Sequence, residues 1–198
     1  ITDILVAEDR LLWIGTDKGL NNFDPATGKF KFIDISHSKQ NTYITSMAMD
    51  SDRNLWVGTQ NSGLIKLKSR TYDFDTYINI PGDKKSLPTN SIHKVFIDSK
   101  NRLWAGMYNG DICYFNAILN AYNTVKYNYP NKREKQLNQV TGFVEDENNN
   151  LWISTYGNSL LHLHTGTMKL TQLNKARNPE NTLPYVLNSI EKTCDSLL

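Results

Sequence analysis

The chain has 198 residues, 22 basic against 20 acidic side chains for a net charge of +2, and is 39% apolar and 11% aromatic. That length suits one domain, or two small ones, with enough chain to bury a core, and the composition excludes intrinsic disorder. The near-balanced charge gives no electrostatic case for nucleic acid, and apolar runs as short as Val95-Phe96-Ile97 exclude a bilayer-spanning segment.

The chain opens on Ile1 with no signal peptide, which reads as a mature product or an excised piece. The first unit carries the strand Leu12-Trp13-Ile14-Gly15-Thr16, and Asp24-Pro25-Ala26-Thr27-Gly28 turns between its third and fourth strands. In the second, Thr45 to Met49 alternates apolar and polar residues, and Asp50-Ser51-Asp52-Arg53-Asn54 supplies a turn. Strands are then predicted over Leu55 to Thr59, Leu64 to Lys68 and Tyr72 to Tyr77, the first two separated by Asn61-Ser62-Gly63. Leu103-Trp104-Ala105-Gly106-Met107 and Leu151-Trp152-Ile153-Ser154-Thr155 mark a third and a fourth unit. Only Asn131 to Gln139 has helical composition, and it falls between units.

All four tryptophans, Trp13, Trp56, Trp104 and Trp152, hold one repeat position, 43, 48 and 48 residues apart. A branched aliphatic precedes each by twelve residues (Ile1, Ile44, Ile92, Val140). Asp50, Asp98 and Asp146 precede the last three by six, where the first unit has Ala7 and, two places later, Asp9. Four-stranded units of this period with a Trp/Gly signature are predicted to be the blades of an all-β, β-propeller fold. One blade cannot bury both faces of its sheet, so neighbours must stack. The tryptophans are expected to fill the gaps between blades, and Gly15, Gly58 and Gly106 to admit close backbone approach near the axis, with Ser154 the exception. The blades are placed at 1–36, 43–80, 91–128 and 139–175, with a partial fifth opening at 187–198. Four blades and a fraction form a partial propeller, an open arc with two uncovered sheet faces, and self-association through those faces is expected.

These residues carry a specific resemblance. The stretch from Leu12 to Pro25, Asp52 to Leu64, and the pairs Ser86-Leu87-Pro88 and Thr182-Leu183-Pro184, each ahead of an Asn-Ser-Ile, resemble the two-component regulator propeller repeat along essentially the whole chain. The resemblance implies the periplasmic sensor region of hybrid two-component histidine kinases of the kind abundant in Bacteroides. Such propellers have about seven blades, sense glycan-derived oligosaccharides, and are followed by a membrane helix and a kinase. No kinase histidine box or receiver pocket occurs in this chain, so the membrane enters only through the remainder of such a parent.

In a propeller, the loops after the second strand and those between blades share one face, the usual ligand mouth. Asp17, Gln60, Asn61, Tyr108, Asn109, Tyr156 and Asn158 are the candidate ligand-binding residues there, with Tyr43, Asn90 and Asn138-Gln139 in the inter-blade loops. A sugar ring offers C–H groups to an aromatic face and hydroxyls to amides, although Asn and Gly also simply close turns. The acidic turns lack the glycine and distal glutamate of a calcium loop and read as hairpin turns. His162 and His164 alternate on one strand without a third ligand at a recognisable spacing, and His37 and His93 lie elsewhere, so no metal or cofactor is expected. Lys84-Lys85 and Lys132-Arg133-Glu134-Lys135 read as solvated loop residues that an acidic glycan could also use. Cys113 and Cys194 are too few for a disulfide scaffold and read as free thiols.

No nucleophile elbow, P-loop, HExxH or CxxC is present. The leading expectation is therefore a non-catalytic oligosaccharide sensor segment. The alternatives are a propeller lyase or glycosidase, and a protein-binding scaffold propeller.

Overall fold

A computed structural model describes residues 1–7, 10–36, 42–125, 139–156, 159–173 and 190. The predicted helical stretch up to residue 138, the basic run at 132–135, Cys194 and nearly all of the partial fifth unit lie outside these residues. Sixteen strands form four antiparallel sheets, each of four strands joined in sequence order, and the described residues contain no helix. The fold is an all-β propeller segment.

Blade 1 comprises β1 (Asp3–Val6), β2 (Leu12–Thr16), β3 (Gly19–Asp24) and β4 (Lys29–Ile33). Blade 2 comprises β5 (Ile44–Met49), β6 (Asn54–Thr59), β7 (Leu64–Lys68) and β8 (Phe74–Tyr77). Blade 3 comprises β9 (Ile92–Ile97), β10 (Leu103–Met107), β11 (Ile112–Asn116) and β12 (Ala121–Thr124). Blade 4 comprises β13 (Val140–Glu145), β14 (Leu151–Thr155), β15 (Ser159–His164) and β16 (Lys169–Gln172). The first strands β1, β5, β9 and β13 neighbour one another in series and line the axis.

The core consists of three layers, one per blade junction. Trp13 shares one buried cluster with Met47, Leu55, Val57, Ile65 and Leu67 of blade 2. Trp56 shares another with Val95, Leu103 and Ala105 of blade 3, and Trp104 a third with Phe143, Ile153 and Leu161 of blade 4. The glycine two places after each of these tryptophans faces the branched aliphatic that opens the next blade. A Cβ on Gly15 would lie 2.6 Å from Ile44 Cγ2, one on Gly58 2.9 Å from Ile92 Cγ2, and one on Gly106 closer still to Val140. The two halves of the repeat signature are thus a single contact across the junction. Ile190 lies against Gly142 on the first strand of blade 4, beside Ser154, which holds the place of the glycine in the other blades.

The turn between the first two strands is the same in every blade. The third residue before each tryptophan (Arg10, Arg53, Asn101, Asn149) adopts a left-handed φ between 58° and 66°. Its N–H donates to the carbonyl of Ala7, Asp50, Asp98 or Asp146. Blade 1 closes this turn with Ala7, so the backbone does not need the aspartate. The carboxylates add to it: one oxygen of Asp50 and of Asp98 accepts backbone N–H groups of the turn, and the other reaches the indole, Asp50 Oδ2 accepting from Trp56 Nε1 and Asp98 Oδ2 from Trp104 Nε1, both at 2.9 Å.

One predicted strand starts late. The fourth strand of blade 2 begins at Phe74, because Tyr72 adopts φ 64° and its N–H bonds back to Lys68. That turn places the Tyr72 ring 6.2 Å from Trp13, with Lys31 Nζ 3.8 Å above it, so Tyr72 closes the first junction.

Candidate functional site

In blades 2, 3 and 4 the N–H of the residue after the second strand donates to the residue just before the first strand. Gln60 bonds the Tyr43 carbonyl (3.1 Å), Tyr108 that of Ser91 (3.2 Å) and Tyr156 that of Gln139 (2.8 Å). The two sets of loops therefore meet on one face, at the axial end of the blades.

On that face, blades 2 and 3 bring together Tyr43, Tyr108 and His93. The His93 ring stands edge-on to Tyr108, with centroids 4.8 Å apart and planes at 85°. Burial, with the Tyr43 phenol nearby, pushes the Tyr108 hydroxyl above its ordinary value. Burial likewise holds His93 below the usual imidazole value, against a hydrogen bond to the Val140 backbone that favours protonation. Its Nδ1 is buried without a partner. Beside this group, Ser91 Oγ donates to Asn61 Oδ1 at 3.4 Å, and Gln60 is exposed. The result is an aromatic wall with an imidazole and amide and hydroxyl groups at its foot, spanning two blades.

His93 was not among the residues the sequence marked for this face. It follows the opening aliphatic directly, where the other blades carry Thr2, Thr45 and Thr141, and that departure from the repeat is the signal. The substitution keeps the structural role: Thr45 Oγ1 donates to the Ile92 carbonyl of the next blade (2.9 Å), and the His93 ring bonds Val140 in the same relation.

The other expected residues separate. Asn109 Nδ2 bonds Asp111 Oδ2 (2.8 Å) and its Oδ1 accepts from Asp111 N, so this amide closes its own turn. Asn90 Oδ1 accepts from Asn79 N (2.6 Å) and holds the connector between blades 2 and 3. Asp17 is exposed on the blade 1 turn, Tyr156 is exposed on blade 4, and Asn158 and Asn138 lie outside the described residues. His162 and His164 do not share a ligand. His162 Nε2 lies 3.2 Å from Asp146 Oδ2 with its ring tilted against Trp152, whereas His164 Nδ1 contacts Thr167. Among the described residues no cluster of three metal-binding side chains occurs. Cys113 is free and fully buried, and burial pushes its thiol up, away from reactivity.

A cleft of about 760 Å³ lies elsewhere, on the outer rim of blade 3, between the 79–88 connector and Tyr114, Asn123 and Met168. Several of its polar groups are engaged, Asn79 Nδ2 with the Leu87 carbonyl, Ser86 Oγ with the Asp83 carbonyl and Asn123 Nδ2 with Tyr114 Oη, whereas the buried Tyr122 hydroxyl has no partner.

The family described as two component regulator propeller matches at residues 38–61, 86–109 and 135–157. Each match spans the end of one inter-blade connector, the first strand and the second strand with its tryptophan. Blades 2, 3 and 4 thus each carry a match to this repeat. No curated protein sequence matches it significantly. Among solved structures, the propeller is similar to the extracellular domain of a putative hybrid two component system from B. thetaiotaomicron, with TM-score 0.69 and 24% identity over 86% of this chain and 24% of that one. It is similar to virginiamycin B lyase from Staphylococcus aureus (TM-score 0.65, 13% identity, 89% of this chain and 55% of the lyase). It is also similar to PorZ, a surface component of the type-IX secretion system of Porphyromonas gingivalis (TM-score 0.63, 18% identity, 94% and 28%). The chain spans about a quarter of the first of these proteins. At these identities the likeness is one of fold.

Proposed function

We propose that this regulator propeller segment is ligand-sensing and belongs to the periplasmic region of a hybrid two-component sensor histidine kinase, binding an oligosaccharide without chemical turnover. The observation that carries this reading is the wall of Tyr43, His93 and Tyr108 across blades 2 and 3. Aromatic faces suit the C–H face of a sugar ring, and the Asn61, Ser91 and Gln60 groups suit its hydroxyls. A ligand touching two blades at once binds best at one inter-blade spacing. That differential affinity is what a sensor needs in order to bias a membrane-spanning partner.

Thermal melts against a panel of glycan-derived oligosaccharides test the proposal. At least one saccharide should raise the melting temperature in a dose-dependent way and be recovered intact. Tyr108→Ala should remove the response while leaving the unliganded melt nearly unchanged. Absence of any response across the panel, with retention of a protein from a periplasmic extract, points to a scaffold instead.

One observation favours a second reading as an enzyme. His93, with a ring nitrogen lacking a partner and two phenols nearby, has the composition of a general acid–base site. Shortened or unsaturated products after incubation decide for a lyase or glycosidase.

A further inference from the structure

In blades 2, 3 and 4 the residue six places before the tryptophan is an aspartate, at the end of the strands opposite the loop face. Asp50 and Asp98 accept from the indoles of Trp56 and Trp104. In blade 4, Asp146 Oδ2 lies 3.2 Å from Nε2 of His162, the cross-strand partner of Trp152. Blade 1 keeps the turn but not the acid. Ala7 holds the aspartate's place, its N–H donating to the Leu11 carbonyl as that of Asp50 does to Asn54. A cavity of about 150 Å³ opens beside it, between blades 1 and 2. Trp13 lines this cavity, as does Asn22, which is the cross-strand partner of Trp13 and so the equivalent of His162. Asn22 is only 7% exposed, and its Nδ2 has no hydrogen-bond partner. A buried N–H without an acceptor is costly and calls for an explanation. Arg53 and Arg70 also line the cavity, and none of its lining residues is acidic.

We propose that this cavity binds a small carboxylate anion, of the size of formate or acetate, in the place that an aspartate side chain holds in the other blades. The other blades define the ligand chemistry: a carboxylate beside the tryptophan and its cross-strand neighbour. The anion accepts from Asn22 Nδ2 and from the Trp13 indole, and the two arginines supply a positive surrounding. Volume sets the upper limit. At about 30 Å³ per water, the space equals roughly five water molecules, which suits acetate with part of its hydration and excludes an oligosaccharide. Trp13 and Asn22 belong to blade 1, whereas Met49, Arg53 and Arg70 belong to blade 2. The bound anion therefore ties the two blades together, at a site separate from the aromatic wall on the loop face.

The test is a thermal melt of the 198-residue chain in sodium acetate against sodium chloride, at neutral pH and matched ionic strength. Acetate should raise the melting temperature with saturation, by about 3–6 °C at ten times the half-saturating concentration. Ala7→Asp supplies the carboxylate covalently, so it should raise the melt without acetate and abolish the acetate response. Asn22→Leu removes the unpaired donor and should weaken acetate binding by about tenfold or more. A spectroscopic readout stands apart from stability. In isotope-labelled protein, the indole N–H signal that Ala7→Asp displaces should also move on acetate titration, while the other three stay in place. Tyr108→Ala should leave the acetate response intact, which separates this site from the loop face. An effect that is linear in salt, equal in chloride, or unchanged by Ala7→Asp overturns the proposal. So does a response that appears only in Asp9→Ala, because a carboxylate of the chain itself is then the occupant.

Discussion

Asp98 Oδ2 accepts a hydrogen bond from Trp104 Nε1 at 2.9 Å in the interior of the third junction, with Trp104 fully buried and the Asp98 carboxylate inaccessible to solvent. The same carboxylate accepts from the backbone of Lys100 and Arg102 and from Arg102 Nε. One side chain thus satisfies the turn, an adjacent cation and the indole that fills the blade gap. Asp98→Ala leaves the buried indole N–H and the Arg102 guanidinium without this acceptor. A loss of about 2–4 kcal/mol is expected, read as a melting temperature lower by roughly 4–16 °C. Asp50→Ala should act in the same direction through Trp56.

Gly106 and Val140 form a matched pair across the same junction. A methyl group on Gly106 would collide with the Val140 Cβ, which cannot rotate away. Gly106→Ala is expected to destabilise by about 1–3 kcal/mol, and Val140→Ala to lose buried contacts on its own. Combined, the two changes should cost less than their sum, because each removes the other's clash or void. A urea-unfolding double-mutant cycle measures that coupling, and strict additivity would show that the two residues do not meet.

The period of the repeat was legible because burial at a propeller junction demands the same residue at the same place each time. Tryptophan, glycine and the opening aliphatic all satisfy that demand. The role of Asp50 and Asp98 was not legible. Acidic residues in a turn fit ordinary turn chemistry, and only the left-handed residue three places before the tryptophan folds the carboxylate back onto the indole. Tyr72 misled for a related reason, since its aromatic character suits a strand but its backbone lies in the left-handed region. The loop face was half legible. Tyr43 and Tyr108 followed from repeat position, whereas the engagement of Asn90 and Asn109 in backbone geometry has no sequence signal separating it from a free amide.

His93 ties stability to pH. Burial holds its folded-state pKa below the ordinary 6.5. The unfolded chain therefore takes up a proton first as the pH falls below that value, and acid favours unfolding. Stability should be fully present above pH 6.5 and decline below it. His93→Thr restores the residue that three blades carry at this position and can keep the bond to the Val140 carbonyl, so it should flatten the decline attributable to this group. Melts between pH 5 and 8 check the slope, and an identical slope in the variant would assign it to other groups.

The outer face of blade 1 also predicts solution behaviour. Phe23 and Phe30 pack at a tilt with centroids 4.4 Å apart, and with the exposed Phe32, Val6 and Ile4 they make a largely apolar sheet face interrupted by Asn21. An uncovered face of this kind drives association, but its small footprint limits the affinity. The 198-residue chain should therefore self-associate weakly, with an average mass that rises with concentration in the micromolar range. Phe32→Asp should return it to a monomer without altering the strand signal in circular dichroism. Sedimentation of both proteins over a hundredfold concentration range decides the matter. A monomer throughout, or association unchanged by Phe32→Asp, rules out this face as the contact.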